Sequence, residues 1–149
     1  MSTSEIEASP QLAGTTVEAP PRPPRGGLLG GLIKLARPKQ WVKNVLVFAA
    51  PLAAGRIDEW DVMRQCLYIF AIFCVAASSI YYVNDAFDVE SDRQHPKKRY
   101  RPIASGVVPV KLAWVLGPIL AVGSVVVSII LCNKETALIV GLYVAMHML

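Results

Sequence analysis

Residues 112–132 constrain this chain most, because 21 consecutive residues there contain no charged side chain. An α-helix rises about 1.5 Å per residue, so this stretch is long enough to cross the roughly 30 Å hydrocarbon core of a membrane. A second apolar stretch covers residues 65–83. Because 54% of the 149 residues are hydrophobic, the sequence predicts an all-α, multi-span transmembrane bundle and excludes a typical soluble domain.

Two further apolar segments are weaker candidates for membrane spans. Residues 42–54 are short and carry Lys43 near their start, so we expect them to join residues 28–35 in one broken or partly interfacial helix. Residues 137–149 are predominantly apolar, but they are fewer than the about 17 that a crossing needs. We therefore expect residues 28–149 to hold three spans and part of a fourth, and the chain to be a fragment or a truncated product.

The segments outside the spans predict a tail and an orientation. Residues 1–27 are rich in Ser, Thr, Pro and Gly and are expected to be disordered. Twelve of the fifteen Lys and Arg residues lie before residue 44 or between residues 84 and 111. The positive-inside rule places that side in the cytoplasm and predicts a multi-pass protein of the cell membrane. The basic loops lack an aromatic platform for stacking bases, so nucleic acid is not an expected partner.

An acidic motif follows the second apolar stretch, where ionisable groups usually mark a functional site. Counted from Asn84 at about 100° per residue, Asp88 lies at about 40° on a helix. By the same count Asp92 lies at about 80° and Asp85 at about 100°, whereas Glu90, at about 240°, points away. Three carboxylates on one face repel one another without a cation. Mg²⁺ suits them, because it takes one or two carboxylates and completes its shell with water and phosphate oxygens.

A basic segment directly follows the acidic motif. Five of the ten residues 93–102 are cationic. Side chains that can hold a metal are thus followed by side chains that can bind an anion. The two segments together predict a phosphate or diphosphate site on the cytoplasmic side.

Three segments resemble the UbiA-type membrane prenyltransferase superfamily. Asn84-Asp85-x-x-Asp88-x-x-x-Asp92, followed by a basic loop and residues 101–106 (Arg-Pro-Ile-Ala-Ser-Gly), is similar to its first aspartate-rich signature. Residues 37–44 (Arg-Pro-Lys-Gln-Trp-Val-Lys-Asn) and 95–102 (His-Pro-Lys-Lys-Arg-Tyr-Arg-Pro) resemble the branch of decaprenyl-phosphate phosphoribosyltransferases. The resemblance covers about residues 33–149. It implies a larger helical bundle whose second functional motif belongs to a later part that this chain lacks.

The resemblance implies transfer of 5-phosphoribose from phosphoribosyl diphosphate to decaprenyl or another polyprenyl phosphate, in the synthesis of a cell-wall arabinan precursor. Mg²⁺ on Asp85, Asp88 and Asp92 would then stabilise the leaving diphosphate. The cations expected to bind the phosphates are Lys43, Arg93, Lys97, Lys98, Arg99 and Arg101. Polar side chains expected beside them are Asn44, Tyr81 and Asn84.

Two other functions stay open at this point. A prenyltransferase of the same superfamily would use the same metal on an isoprenyl diphosphate and alkylate an aromatic acceptor. A non-catalytic membrane carrier or subunit would instead carry acidic residues buried at the middle of a span. For single residues, a base can serve only as a topogenic anchor, and Tyr81, at about 60° on the same count, can be a packed aromatic. Homo-oligomerisation also stays open.

Overall fold

The computed structural model describes residues 26–148. Its helices in chain order are α1 (Gly27–Leu35), a 3-10 helix (Pro38–Phe48), α2 (Ala49–Ala53), α3 (Trp60–Phe87), α4 (Val89–Gln94), a short 3-10 helix (Lys98–Tyr100), α5 (Val110–Leu131) and α6 (Lys134–Met148). The described residues contain no strand, which confirms the all-α prediction. The disorder expected of the tail falls on residues 1–25, outside the described residues, and Gly27 already belongs to α1.

Two helices, α3 and α5, are long and apolar enough to cross a membrane. They contain the two apolar stretches predicted as spans, except that α5 ends at Leu131. α3 is longer than the predicted stretch 65–83. The polar residues that flank this stretch include no Gly or Pro, so the helix continues through them. On α5, Ile119, Val122 and Ile130 are exposed, as expected of a helix that faces lipid or further helices.

The first apolar segment is broken, as the sequence predicts. α1 ends at Leu35, and Arg37 then adopts a left-handed backbone conformation with φ 52° and ψ 59°. Pro38 explains the break, because it lacks an N–H group and its ring disfavours the α conformation in the preceding residue. The chain continues as the long 3-10 helix, where Trp41 Nε1 donates to Ser78 Oγ of α3 at 3.2 Å.

α3 and α5 pack closely at Gly117. A Cβ atom added there would lie 2.5 Å from Cγ2 of Val83 and 3.4 Å from the carbonyl oxygen of Ser79. Glycine at this point permits the close backbone approach that is common between membrane helices. Farther along α5, the Ser128 hydroxyl donates to the Ser124 carbonyl at 2.7 Å, which satisfies a buried polar group within the helix itself.

A buried apolar cluster joins α1, the end of α3, the segment before α5 and the start of α5. Its members are Leu35, Tyr82, Ala86, Ile103, Val108 and Ala113. The Tyr82 hydroxyl also donates to the Leu32 carbonyl at 3.0 Å. The cluster therefore fixes both the chain just after α1 and the segment around residue 102 against the last turns of α3.

α6 packs against the middle of α3. Val140 is fully buried with Ile72 and Ala76, and Tyr143 meets Phe73 edge to face with ring centroids 5.4 Å apart. This packing brings the end of α6 beside the 3-10 helix that follows Arg37, where the two elements border one cavity.

Candidate functional site

The acidic motif spans the junction between α3 and α4. α3 ends at Phe87, Asp88 has φ −81° and ψ 1°, and α4 begins at Val89. Across this interruption the Asp88 N–H still donates to the Asn84 carbonyl at 2.9 Å, and the Asp92 N–H donates to the Asp88 carbonyl at 2.7 Å. The helical spacing on which the sequence argument depends is therefore kept.

The single acidic face expected from the sequence divides into two halves. Asp85 and Asp92, at about 80 to 100° in the helical count, are buried. Asn84 and Asp88, at about 0 to 40°, are exposed. Glu90, on the far side, lies 3.6 Å from Arg93. The motif thus presents one buried pair of carboxylates and one accessible amide and carboxylate.

Two arginines from distant parts of the chain bind the buried carboxylates. Arg37 Nη2 donates to Asp85 Oδ1 at 2.8 Å. Arg101 Nη1 donates to Asp85 Oδ1 at 3.2 Å and to Asp92 Oδ2 at 2.7 Å. The arginine side chains are 31% and 26% exposed, against 4% and 2% for the aspartates. We call these four residues the arginine–aspartate cluster; its cations compensate carboxylates that are costly to bury alone.

Arg37 is one of the site residues that sequence reasoning missed. It belongs to the resembling segment 37–44, yet it was not among the expected site residues. Its guanidinium lies 4.6 Å above the Tyr81 ring as well as on Asp85. A left-handed conformation is uncommon for a residue other than glycine and is often found at functional sites. The sequence signal was an arginine directly before Pro38, at the end of an apolar stretch on the predicted cytoplasmic side.

Arg37 and Tyr81, which contact each other, line two different cavities. The first, of about 370 Å³, is called the cationic cavity and is lined by Lys34, Arg37, Asp85, Lys97, Tyr100, Arg101 and Pro102. The second, of about 360 Å³, is called the polar cavity and is lined by Gln40, Lys43, Asn44, Ala77, Ile80, Tyr81, Asn84, Tyr143 and His147. Arg37 lines the first cavity and Tyr81 the second, so this contact joins the walls of the two cavities.

The expected substrate-binding residues are distributed over both cavities. Lys97 and Arg101 line the cationic cavity. The other group, Lys43, Asn44, Tyr81 and Asn84, lines the polar cavity. Asn44 is held in place by α3, because its Nδ2 donates to Cys74 Sγ at 3.4 Å. The polar cavity also includes Tyr143 and His147, which no local sequence signal marked, because their position depends on how α6 packs.

The remaining basic residues lie at the surface of the loop. Arg93 Nε donates to the Ala104 carbonyl at 3.5 Å, and Arg99 Nε donates to the Tyr100 hydroxyl at 2.9 Å. Lys98 is exposed. His95 Nδ1 accepts the backbone N–H groups of Lys97 and Lys98 at 3.1 and 3.3 Å. This histidine therefore shapes the loop that carries Lys97 to the cationic cavity.

The carboxylate oxygens that the arginines do not bind are suitable ligands for Mg²⁺. Among residues 26–148, no three His, Cys, Asp or Glu side chains lie close enough to hold a metal ion by themselves. Asp92 Oδ1, however, is buried with no hydrogen-bond partner in that range, and Asp88 is exposed. Mg²⁺ needs only one or two carboxylates when water and phosphate complete its shell. Asp85 is less suited, since its Oδ1 is shared by two guanidinium groups.

Comparison with known proteins identifies the family. The model of the UbiA prenyltransferase family matches residues 45–149. The chain belongs to this family. Its membership agrees with a helical membrane fold that contains two helices able to span the bilayer.

Three curated relatives illustrate how similar this UbiA-family chain is to others. It is 50% identical over 130 residues to the decaprenyl-phosphate phosphoribosyltransferase of Mycolicibacterium smegmatis, covering 85% of this chain and 40% of that protein. The protein of the same name from Corynebacterium glutamicum is 47% identical over 130 residues, with 85% and 39% covered. The 4-hydroxybenzoate octaprenyltransferase of Paracidovorax citrulli is 31% identical over 116 residues, with 76% and 38% covered. The chain thus spans about two fifths of the relatives' length.

Proposed function

We propose that the protein, at its full natural length, transfers 5-phosphoribose from phosphoribosyl diphosphate to decaprenyl phosphate or a similar polyprenyl phosphate. Diphosphate is released, and the product serves the synthesis of a cell-wall arabinan precursor. The observation that carries this proposal is the 50% identity, over 85% of the chain, to a protein named decaprenyl-phosphate phosphoribosyltransferase. The relative named for an aromatic acceptor is less similar, at 31% identity.

The distribution of cations supports two phosphorylated substrates. The polar cavity contains Lys43 beside Asn44 and Asn84, and the cationic cavity contains Lys97 and Arg101 among its cations. A sugar diphosphate donor and a lipid phosphate acceptor each require their own cations. An aromatic acceptor would leave one of the two groups without an anion. The phosphate acceptor is moreover already an anionic nucleophile and needs no strong general base.

Some of these residues bind the substrate or the metal, and others hold the binding residues in position. Asn84 and Lys43 bind the diphosphate from the polar cavity, and the charge that develops on it as the C1–O bond breaks is stabilised by Lys43. Asp88 and Asp92 would hold Mg²⁺, which would supply positive charge to the leaving diphosphate. Asp85, to which the sequence also assigned the metal, instead holds Arg37 and Arg101 in place, because both guanidiniums share its Oδ1.

We also propose that the protein lies in the plasma membrane with this site facing the cytoplasm. The support is the distribution of charge, since the basic loop that carries Lys97 and Arg101 follows the same end of α3 as the arginine–aspartate cluster. Positively charged loops stay on the cytoplasmic side. Phosphoribosyl diphosphate, a water-soluble anion, would reach the site from there.

The test measures what is transferred. Membranes that contain the protein at its full natural length are incubated with labelled phosphoribosyl diphosphate and decaprenyl phosphate. We expect label in the lipid fraction with Mg²⁺ and none after chelation. Label transfer from a polyprenyl diphosphate to 4-hydroxybenzoate, with none from the sugar donor, would refute the proposal in favour of an aromatic prenyltransferase. No transfer from either donor would favour a carrier or subunit.

A further inference from the structure

We infer that the cationic cavity is a binding site for a phosphate monoester, separate from the polar cavity that contains Lys43. The inference rests on the proposed function, because it assigns one phosphate of that reaction to a cavity of its own. It also adds Lys34 and Arg37 to the residues that bind substrate.

The charge of the cationic cavity matches such a group. Lys34, Arg37, Lys97 and Arg101 line it together with a single carboxylate, that of Asp85. Asp92 adds a second negative charge behind Arg101. Four cations against two carboxylates leave a surplus of two positive charges. A phosphate monoester carries about −1.5 to −2 charges at neutral pH, so it would neutralise the cavity.

The two arginines are held in position by the aspartates, and each has further N–H groups that the aspartates do not use. Arg37 uses Nη2 and Arg101 uses Nη1 for the buried aspartates. No further hydrogen bond of either guanidinium is found among residues 26–148. A guanidinium has five N–H groups in a planar fork that fits phosphate oxygens. Asp85 and Asp92 therefore orient the arginines, and the remaining donors are available to an anion.

The backbone at Arg37 contributes to this arrangement. The residue has φ 52°, a backbone conformation that is sterically disfavoured for residues other than glycine. The turn lies between α1 and the 3-10 helix, so Lys34 from the last turn of α1 and Arg37 from the turn line the cavity together. Lys97 and Arg101 approach from the loop after α4. Two segments far apart in sequence, residues 34–37 and 97–101, thus supply cations to one small volume.

Two substrates of the proposed reaction contain a phosphate monoester: the polyprenyl phosphate acceptor and the 5-phosphate of the donor. A neighbouring cavity of about 610 Å³ shares Lys34 and Arg37 and adds Ile33 and Pro38 to its lining. It gives room for an apolar tail beside the phosphate and favours the lipid acceptor.

Binding without turnover tests the site. The protein at its full natural length is titrated in detergent with farnesyl phosphate, ribose 5-phosphate and inorganic phosphate, and binding is followed by ³¹P NMR. Lys34→Gln and Lys97→Gln change exposed lysines and leave the arginine–aspartate cluster intact. Each should weaken farnesyl phosphate about tenfold, the loss of one charge-assisted hydrogen bond. Arg37→Lys keeps the positive charge but lacks the planar guanidinium with its paired N–H groups, so it should weaken binding similarly.

The matched control is Lys111→Gln, an exposed lysine at the start of α5 that is not among the residues lining the cavity. Its affinity for farnesyl phosphate should stay within about twofold of wild type. If the lysine variants weaken only the binding of ribose 5-phosphate, by about tenfold, the site binds the 5-phosphate of the donor. The cavity would then still be a phosphate monoester site. Equal loss in the control, or no loss in both lysine variants, would overturn it.

This experiment separates the inference from the proposed function. Lysine-dependent binding of farnesyl phosphate in a protein that transfers no phosphoribose would refute the reaction and keep the site. Phosphoribosyl transfer that proceeds with unchanged affinity for both monoesters in Lys34→Gln and Lys97→Gln would keep the reaction and refute the site.

Discussion

The two ends of α3 both carry arginine–carboxylate pairs, but in very different settings. At the Phe87 end, Arg37 reaches Asp85 across 48 residues of sequence, and the carboxylate is buried. At the Trp60 end, Arg56 binds Glu59 at 2.7 Å and Arg64 binds Asp61 at 3.1 Å. Both pairs there join residues three apart, and all four side chains are exposed.

The difference shows that contact distance alone does not reveal what an ion pair does. Exposed pairs contribute about 0 to 1 kcal/mol, since water already solvates both partners. Removing one partner of a buried pair costs about 3 to 5 kcal/mol, because the other charge is left uncompensated. The pairs at the Trp60 end fix only local geometry, whereas those at the Phe87 end join the turn after α1, α3 and the basic loop.

The largest contrast expected between the two ends is in their access to the outside of the cell. In a variant whose natural cysteines are replaced, Asp58→Cys and Ser105→Cys each place one thiol at an exposed position. In intact cells an impermeant maleimide should label Asp58→Cys fully, and Ser105→Cys only after the membrane is opened. The reverse pattern would overturn the proposed orientation and the cytoplasmic sugar donor.

Asp88→Asn should abolish Mg²⁺-dependent phosphoribosyl transfer in the full-length protein, while Glu90→Gln stays active. Asp88 is exposed at the α3–α4 junction, so its exchange should leave the thermal midpoint of unfolding in detergent unchanged. The two measurements together separate a loss of chemistry from a loss of fold. Equal loss of activity in Glu90→Gln would contradict the division of the acidic motif into faces.

Asp85→Asn should lower both stability and activity, because it leaves Arg37 and Arg101 with one carboxylate fewer. The arginines are partly exposed, so we expect a loss of about 1 to 3 kcal/mol in the free energy of unfolding, less than for a fully buried pair. Chemical denaturation in detergent measures it. The matched control at the opposite end is Asp61→Asn, which should stay within about 0.5 kcal/mol of wild type.

The smallest effect is expected from Glu59. The hydrogen bond from Arg56 lowers the pKa of this carboxyl in the folded protein. Its stabilising contribution is therefore present above the pKa of the unfolded chain, about 4.3, and is lost as pH falls through the lower folded value. Between pH 3 and pH 6, the free energy of unfolding should change with pH almost equally in wild type and in Glu59→Gln. A clear divergence would show that this end also contributes to global stability.

The sequence was sufficient where one local property decides the structure. The charge-free stretch 112–132 predicted α5, and the two short apolar segments 28–35 and 42–54 predicted a first helix that is broken. The helical count also placed Asp85 and Asp92 within about 20° of each other, and the structure buries these two together.

The sequence was insufficient where distant segments meet. Which half of the acidic motif is buried depends on α1 and the basic loop packing against α3, and neither contact has a local signal. Arg37 and Asp85 are 48 residues apart, so their pairing could not be deduced from spacing. His147 joins Lys43 in the polar cavity only because α6 returns along α3.

Gly117 has a mechanical consequence for the site. A methyl group there would overlap Val83, which is two residues before Asp85, so α3 and α5 would have to separate locally. The basic loop is attached to α5 on one side and, through Arg101, to α3 on the other. Any separation of the helices would pull on that attachment. The absence of a side chain at Gly117 therefore helps to set the distances between Arg101 and the two aspartates.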